Sequence, residues 1–230
     1  MNDPRVQAPI AIVVGAGGEL GRATALALAA TGTVVVAVDR SGGNLEVLPD
    51  DIRREVADVT DPDVVTPLID RIVAEVGGPD ALVNTVGAFV PGTAADTTPD
   101  LLRTMIDVNL GAAFWLSRAV APHMQRRHSG AIVHVTARPG LDPTYGMAAY
   151  AASKAALAYL IRLLDVELRP LGIRVNSVAP QLLDTAANRA ALPEEMLAHA
   201  VTPEAVADII AFLVSDAAAP ISGAVLPAYW

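Results

Sequence analysis

A short apolar run followed directly by a glycine-rich loop restricts the fold of this chain more than any other feature. Ile10–Val14 is continuously apolar, which is typical of a buried parallel strand. The sequence G-A-G-G-E-L-G follows at residues 15–21, and an alanine-rich helix is predicted at 22–30. Strand, glycine loop and helix are the context in which a dinucleotide pyrophosphate binds, because glycines admit its close approach and the helix N-terminus supplies N–H donors. The alternative is a tight turn without a ligand.

Apolar runs and helical stretches alternate along the rest of the chain. Further strands are predicted at residues 33–38, 51–57, 80–84, 130–135, 172–178 and 221–227. Helices are predicted from a cap at Thr60 or Asp61 to residue 75, at 99–108, 110–127, from about 150 to 169, and from Thr202 onward. With no linker or repeat, this pattern predicts one α/β domain over residues 1–230, a Rossmann-type doubly wound parallel sheet of about seven strands flanked by helices.

Composition excludes several classes of function. The 230 residues are 53% hydrophobic, enough for a large core, and the net charge of −9 with no long basic cluster argues against nucleic-acid or membrane-surface binding. There are no cysteines, and the four histidines show no metal-ligand spacing, so no metal is expected. The apolar region 23–38 is broken by T-G-T, against a membrane span. The first residues lack signal-peptide features, so a cytoplasmic location is expected.

The end of the second predicted strand carries a carboxylate that bears on cofactor choice. Asp39 can accept both hydroxyls of an adenine ribose and would repel a 2′-phosphate, which favours NAD. Arg40 follows directly and could hold that phosphate instead, so NADP stays possible.

Tyr150 and Lys154 form the second chemical motif, spaced Y-A-A-S-K at the start of a predicted helix. Residues four apart lie on one helix face. A lysine ammonium there would lower the tyrosine's pKa from about 10 and make the phenol a usable general acid. The alternative is a half-buried tyrosine beside a solvated lysine.

Four features stand in a fixed order: the glycine loop after the first strand, the acid after the second, N-T-V-G at 84–87 after the fourth, and Y-x-x-x-K after the fifth. Together they resemble the short-chain dehydrogenase/reductase family over nearly the whole chain. The resemblance implies hydride transfer between nicotinamide and a small carbonyl or alcohol, with Tyr150 as proton donor or base, Lys154 on the nicotinamide ribose, and Asn109 anchoring a relay water. It implies cofactor contacts at Gly15, Gly17, Gly18, Leu20, Gly21, Asp39, Arg40, Asp58, Val59, Asn84, Gly87, Tyr150, Lys154, Pro180 and Thr185.

Two positions depart from the family pattern. Glu19 stands where the loop usually has glycine, although Gly15 and Gly21 remain. Ala137 stands thirteen residues before the tyrosine, where the family places a serine whose hydroxyl binds the substrate carbonyl. Thr136 has a hydroxyl, but adjacent strand residues face opposite sides of a sheet, so it could substitute only if the strand end twists.

These departures also resemble the dihydropteridine reductase branch, which shares the shifted loop ending in Leu-Gly, the aspartate and the alanine. That resemblance implies a quinonoid pterin as an alternative substrate. A third possibility is a cofactor-binding protein that lacks turnover because of Ala137.

The irregular segment 181–201 is predicted to be a substrate lid. Four residues are expected to face the substrate: Thr136, Ala137, Tyr145 and Leu183. The alanines of 147–158 would let helices approach closely, and family members usually pair through such helices, so a homodimer or homotetramer is expected.

Overall fold

Seven parallel strands form one sheet in the order β3-β2-β1-β4-β5-β6-β7 in the computed structural model, which describes residues 8–229. The first seven residues, on which the cytoplasmic expectation depends, lie outside this range. The strands are β1 (Ile10–Val14), β2 (Val34–Asp39), β3 (Arg53–Val56), β4 (Ala81–Asn84), β5 (Gly130–Val135), β6 (Ile173–Pro180) and β7 (Val225–Ala228). The predicted α/β doubly wound sheet is confirmed.

Helices cover both faces of the sheet. They are α1 (Glu19–Ala30), α2 (Gly42–Leu45), α3 (Pro62–Glu75), α4 (Pro99–Ile106), α5 (Ala112–Gln125), α6 (Ala148–Leu168), α7 (Ala186–Ala191), α8 (Glu194–Leu197) and α9 (Pro203–Val214). A π-helical turn at Asp107–Gly111 joins α4 to α5, and short 3₁₀ turns occur at Arg138–Gly140, Arg169–Leu171 and Asp216–Ala218.

Strand periodicity divides the buried side chains between two cores. Ile12 and Val14 pack in a core with side chains of α3, α5 and α6, whereas Ala11 and Val13 pack on the opposite face with α1 and α9. Because successive strand residues face opposite sides, a strand buried on both faces must be apolar throughout. The continuous runs in β1 and β2 meet that requirement, which is why their prediction succeeded.

Side-chain caps fix the starts of two predicted helices, and a π turn changes a third boundary. Asp61 caps α3 by accepting from the Asp63 N–H, so of the two candidates Thr60 is not the cap. Thr202 caps α9 by accepting from the Ala205 N–H, as its position predicted. The predicted helices 99–108 and 110–127 are instead one helical segment interrupted by the π turn.

Strand order reverses between β1 and β4, which both pair with neighbours to opposite sides. Ligands of open parallel sheets bind beyond the carboxyl ends of strands at such a switch point. The glycine loop follows β1 and the turn 84–87 follows β4, so both lie there.

Candidate active site

The glycine loop at residues 15–21 leaves the N-terminus of α1 open. Gly15 adopts φ +81°, and a Cβ there would lie 2.7 Å from the Thr85 hydroxyl oxygen, so only glycine fits. Gly18 is the N-cap residue and no side chain of the described residues caps the helix. Leu20 and Gly21 are buried beneath the loop. The first-turn N–H groups of a twelve-residue helix therefore remain for an anion, which fits a pyrophosphate.

Asp39 lies at the end of β2 with its carboxylate beside this loop. Its Oδ2 accepts from the Gly17 N–H at 3.1 Å, and its Oδ1 accepts from the Ser41 N–H at 3.1 Å and from Asn44 Nδ2 at 3.3 Å. Each carboxylate oxygen has two lone pairs, so Oδ2 keeps a free acceptor site. These bonds fix the carboxylate at the mouth of the loop, where a ribose could reach it.

The end of β3 adds a second carboxylate. Asp58 Oδ1 accepts from the Thr60 hydroxyl at 2.6 Å and the Thr60 N–H at 3.0 Å, and these bonds, with a smaller contribution from the charge of Arg40, lower its pKa. Asp58 and Arg40 are exposed, whereas Val59 is buried in the core under α3. The exposed pair is accessible to an adenosine group and Val59 shapes the backbone behind it.

Asn84 is oriented into the protein. Its Oδ1 accepts from the Val86 N–H at 3.0 Å, and its Nδ2 lies 3.3 Å from His134 Nδ1. The side chain is buried, so it shapes the turn after β4 from below.

Gly87 lies beside the residues at the centre of the site. A Cβ added to it would be 3.2 Å from both Asn109 Oδ1 and Lys154 Nζ. The exposed backbone of Gly87 thus brings the turn after β4, the π turn and α6 together. No side chain larger than hydrogen fits there without moving the amide or the ammonium.

The π turn presents Asn109. Its Nδ2 donates to the Ala88 carbonyl oxygen and to Ser153 Oγ, both at 3.0 Å, and its Oδ1 accepts from the Ala88 N–H at 3.0 Å. Such turns insert one residue into a helix and often occur at functional sites. Both amide hydrogens are used within the protein, so Asn109 joins the β4 turn rigidly to α6.

Tyr150 and Lys154 lie one turn apart on α6. Lys154 Nζ donates to the Val135 carbonyl oxygen at 2.8 Å, and the side chain is only 4% exposed. The Tyr150 ring packs edge-on against Phe89, with 5.0 Å between centroids. Among the described residues Val135 is the hydrogen-bond acceptor of the ammonium, which leaves two N–H groups for a ligand.

Burial controls the titration of this pair. It raises the pKa of Tyr150 to about 12 and lowers the pKa of Lys154 to about 8. The expected lowering of the Tyr150 pKa by Lys154 is therefore not seen in this state, because desolvation of the phenolate dominates. A phenol with this pKa stays protonated at neutral pH and can serve as an acid.

The hydroxyl of Thr136 does not replace the absent serine. Thr136 is 1% exposed, and its Oγ1 donates to the Val178 carbonyl oxygen at 3.1 Å and lies 3.3 Å from Ser177 Oγ. The strand end keeps this hydroxyl between β5 and β6, and the contact of Thr136 with substrate stays a prediction. Ala137 is buried and starts the 3₁₀ turn that packs against Lys154 through Gly140.

The segment 181–201 contains two short helices, α7 and α8, where irregular structure was expected. Leu183 forms a parallel bridge with Val201 and packs partly into the second core, and Thr185 caps α7 by accepting from the Asn188 N–H at 3.2 Å. Pro180 is buried at the end of β6. Tyr145 is 93% exposed, so the structure leaves this predicted substrate residue in solvent.

Sequence reasoning missed three polar residues near the site, which are Ser153, His134 and Ser117. Ser153 donates to the Tyr150 carbonyl oxygen at 2.7 Å and accepts from Asn109. His134 is fully buried between Asn84 and Ser117, and because Ser117 donates to the Ala113 carbonyl oxygen, His134 Nε2 is the donor to Ser117. A polar residue inside an apolar strand was the available signal for His134.

The comparisons with known proteins agree with this geometry. The family profile described as short chain dehydrogenase matches residues 9–196. The chain belongs to the short-chain dehydrogenase family. The 3-oxoacyl-acyl-carrier-protein reductase FabG of Thermotoga maritima is 32% identical over 237 residues, covering 96% of each chain.

Two solved structures of similar fold contain a bound nicotinamide cofactor. NAD+-bound xylitol dehydrogenase matches this short-chain dehydrogenase with a TM-score of 0.89 and 26% identity, covering 96% of this chain and 97% of that one. ElxO with NADP bound matches with a TM-score of 0.90 and 25% identity over 96% and 97%. The protein is therefore an oxidoreductase that uses a nicotinamide cofactor and acts on small molecules.

The described part of the chain has neither a metal-ligating cluster nor a helix that could span a membrane. Within residues 8–229 no cluster of metal-ligating side chains occurs. No helix of that part of the chain is long and apolar enough to cross a membrane.

Proposed function

We propose that this short-chain dehydrogenase transfers hydride between NAD and a small carbonyl or alcohol substrate, with Tyr150 moving the proton. The observation that carries the proposal is the convergence of Lys154 and Asn109 on Gly87, one helical turn from Tyr150. A bound nicotinamide supplies or accepts the hydride.

The residues of this chain bind and orient the cofactor and protonate the substrate. The open N-terminus of α1 would hold the pyrophosphate, and the two remaining N–H groups of Lys154 would hold ribose hydroxyls. Tyr150, protonated at neutral pH, would donate its phenolic proton to the carbonyl oxygen and regain a proton from solvent. Asn109 fixes the position of α6 relative to the cofactor side of the site.

NAD is favoured over NADP by Asp39. Its carboxylate is fixed beside the glycine loop with a free lone pair for a ribose hydroxyl, and its charge opposes a 2′-phosphate. Arg40 favours NADP instead, because its exposed guanidinium follows Asp39 directly and could bind a 2′-phosphate. Its charge also contributes to the lowered pKa of Asp58.

The substrate side of the site is apolar. Phe89, whose ring packs against Tyr150, is 51% exposed, and the next residue, Val90, is also exposed. This supports an apolar substrate bound under the lid segment 181–201, with Leu183 at its base.

Ala137 favours a second candidate. Position 137 offers no hydroxyl to a substrate oxygen. A quinonoid pterin is already polarised and would therefore need this hydrogen bond less than a ketone does. An inactive cofactor-binding protein is the third candidate, and it rests on the same residue.

The exposed face of α6 supports self-association. Ala152, Ala155, Tyr159, Leu163 and Val166 are exposed at helical spacing and form one small-and-apolar stripe. We expect a homodimer or homotetramer, and a sedimentation run at micromolar concentration that gives only monomer would reject it. The cytoplasmic location stays a prediction.

The test is consumption of NADH and NADPH against simple ketones, 3-ketoacyl thioesters and quinonoid dihydropterin, with Tyr150→Phe in parallel. We expect turnover of a carbonyl class, a loss of about 10³-fold in Tyr150→Phe, and unchanged NADH binding. Tyr159→Phe, exposed on the same helix, is the matched control. Pterin turnover alone would favour the second candidate, and NADH binding without any turnover would favour the third.

A further inference from the structure

Glu19 makes a contact that a glycine at its position could not make. It is the first residue of α1, and its Oε1 accepts a 2.8 Å hydrogen bond from the N–H of Ala186, the first residue of α7. The two residues are 167 positions apart in the chain. The contact joins the glycine loop to the lid segment 181–201.

Among residues 8–229, the other hydrogen bonds of the lid run within it, to its flanks and to Arg138 in the turn after β5. Asp184 N–H donates to the Val201 carbonyl oxygen and Val201 N–H to that of Leu182, both at 2.9 Å, which closes the base of the lid. Gln181 Oε1 accepts from Arg138 at 2.6 Å at its beginning. Among residues 8–229, the Glu19 bond is the one hydrogen bond between the lid and the glycine loop.

The position of this bond couples it to the cofactor. Its acceptor begins the helix whose open N-terminus faces the expected pyrophosphate, and its donor follows Thr185, the cap of the lid helix. A bond between a carboxylate and an N–H group is charge-assisted and among the stronger hydrogen bonds in proteins. The bond therefore joins the loop expected to hold the pyrophosphate to the segment expected to cover the site.

We propose that Glu19 is a lid-positioning residue that latches α7 onto the glycine loop and slows release of the nicotinamide cofactor. It touches neither the phenol of Tyr150 nor the ammonium of Lys154, so its effect is on the lid and not on proton transfer. The inference rests on cofactor binding at the glycine loop and goes beyond the proposed chemistry.

Three variants test the latch. Glu19→Ala removes the acceptor, Glu19→Gln keeps an oxygen acceptor but removes the charge, and Glu204→Ala removes an exposed glutamate from the first turn of α9 as a control. Hydrogen exchange is measured without cofactor on the peptide that contains Ala186. NADH association and dissociation are measured by stopped-flow fluorescence.

In Glu19→Ala, we expect exchange at the Ala186 amide and NADH dissociation each to accelerate about tenfold, with the association rate changed by less than about twofold. Glu19→Gln should recover most of both effects, and Glu204→Ala should match the wild type. Unchanged exchange and dissociation in Glu19→Ala would overturn the proposal. Tighter NADH binding in both Glu19 variants would also overturn it, because it would assign Glu19 to repulsion of the pyrophosphate.

The two readouts separate this inference from the proposed function. A wild-type protein that binds neither NADH nor NADPH would contradict the cofactor assignment, whereas the exchange measurement would still decide whether Glu19 holds α7. Cofactor binding with no turnover would contradict the proposed chemistry and leave both latch readouts measurable.

Discussion

The Lys154 ammonium lies 2.8 Å from the Val135 carbonyl oxygen, at the end of β5. This places a cation inside the protein, where burial lowers its pKa to about 8. The backbone acceptor orients Nζ and leaves its other N–H groups for a ligand. A site prepared in this way costs stability, and that cost can be measured.

Replacement of Lys154 with methionine should stabilise the folded protein. A pKa lowered from 10.5 to about 8 means that the folded state resists the charged form, at a cost of about 3 kcal/mol at pH 7. Loss of the hydrogen bond to Val135 destabilises the variant by about 1 kcal/mol. We therefore expect the free energy of unfolding to rise by about 2 kcal/mol while turnover is lost. Urea denaturation at pH 7 measures it, and a less stable variant would contradict the burial argument.

The same pKa predicts the pH dependence of reduction. Lys154 is charged below about pH 8 and neutral above it, whereas Tyr150 keeps its proton to about pH 12. The value of kcat/KM for carbonyl reduction should therefore fall as pH rises through about 8. Rates with the best substrate from pH 6 to 10 test this, and an unchanged rate up to pH 10 would show that the Lys154 charge is not required.

Asp39→Asn should change cofactor preference. The amide keeps the shape of the side chain but removes the charge that opposes a 2′-phosphate, so the NADPH/NADH ratio of kcat/KM should rise about tenfold or more. Asp58→Asn is the matched control, since its carboxylate lies at the end of the next strand and should affect both cofactors alike. A ratio unchanged by Asp39→Asn would remove Asp39 from the selection of NAD.

His134 should make the protein sensitive to acid. Burial, with a smaller contribution from the Lys154 charge, lowers its pKa from 6.5 to about 3. Because the folded protein keeps His134 neutral, the stability from this side chain is fully present above pH 6.5. It is lost as the pH falls towards 3, since protonation then favours the unfolded state. The difference in free energy of unfolding between wild type and His134→Gln should therefore shrink by about 2 kcal/mol from pH 6.5 to 5. Replacement of the exposed His199 is the control, and a pH-independent difference would contradict the assignment.

Ala137→Ser should raise activity on simple ketones. A serine hydroxyl there would donate to the substrate oxygen, and one such donor contributes about 10²-fold, so we expect a gain of tenfold or more in kcat/KM. Reduction of a quinonoid pterin should not improve. Thr136→Val is the control, because that hydroxyl is bonded to Val178 and should not affect the rate. A large gain on the pterin would mean that the site is built for a serine-dependent substrate.

The sequence by itself determined the fold and the order of its chemical motifs. The features that made this possible are local in the chain. They are the alternation of strands and helices, the glycine loop, the capping sequences at Asp61 and Thr202, and the spacing of Tyr150 and Lys154. This is why the parallel sheet was predictable from the sequence.

Only the tertiary structure decided how these motifs interact. The pKa values of Tyr150 and Lys154 depend on desolvation by residues from other elements, and the Thr136 hydroxyl is directed by its bond to β6. The contact of Glu19 with Ala186 joins elements far apart in the chain. Burial and long-range hydrogen bonds are set by packing, which spacing along a sequence does not encode.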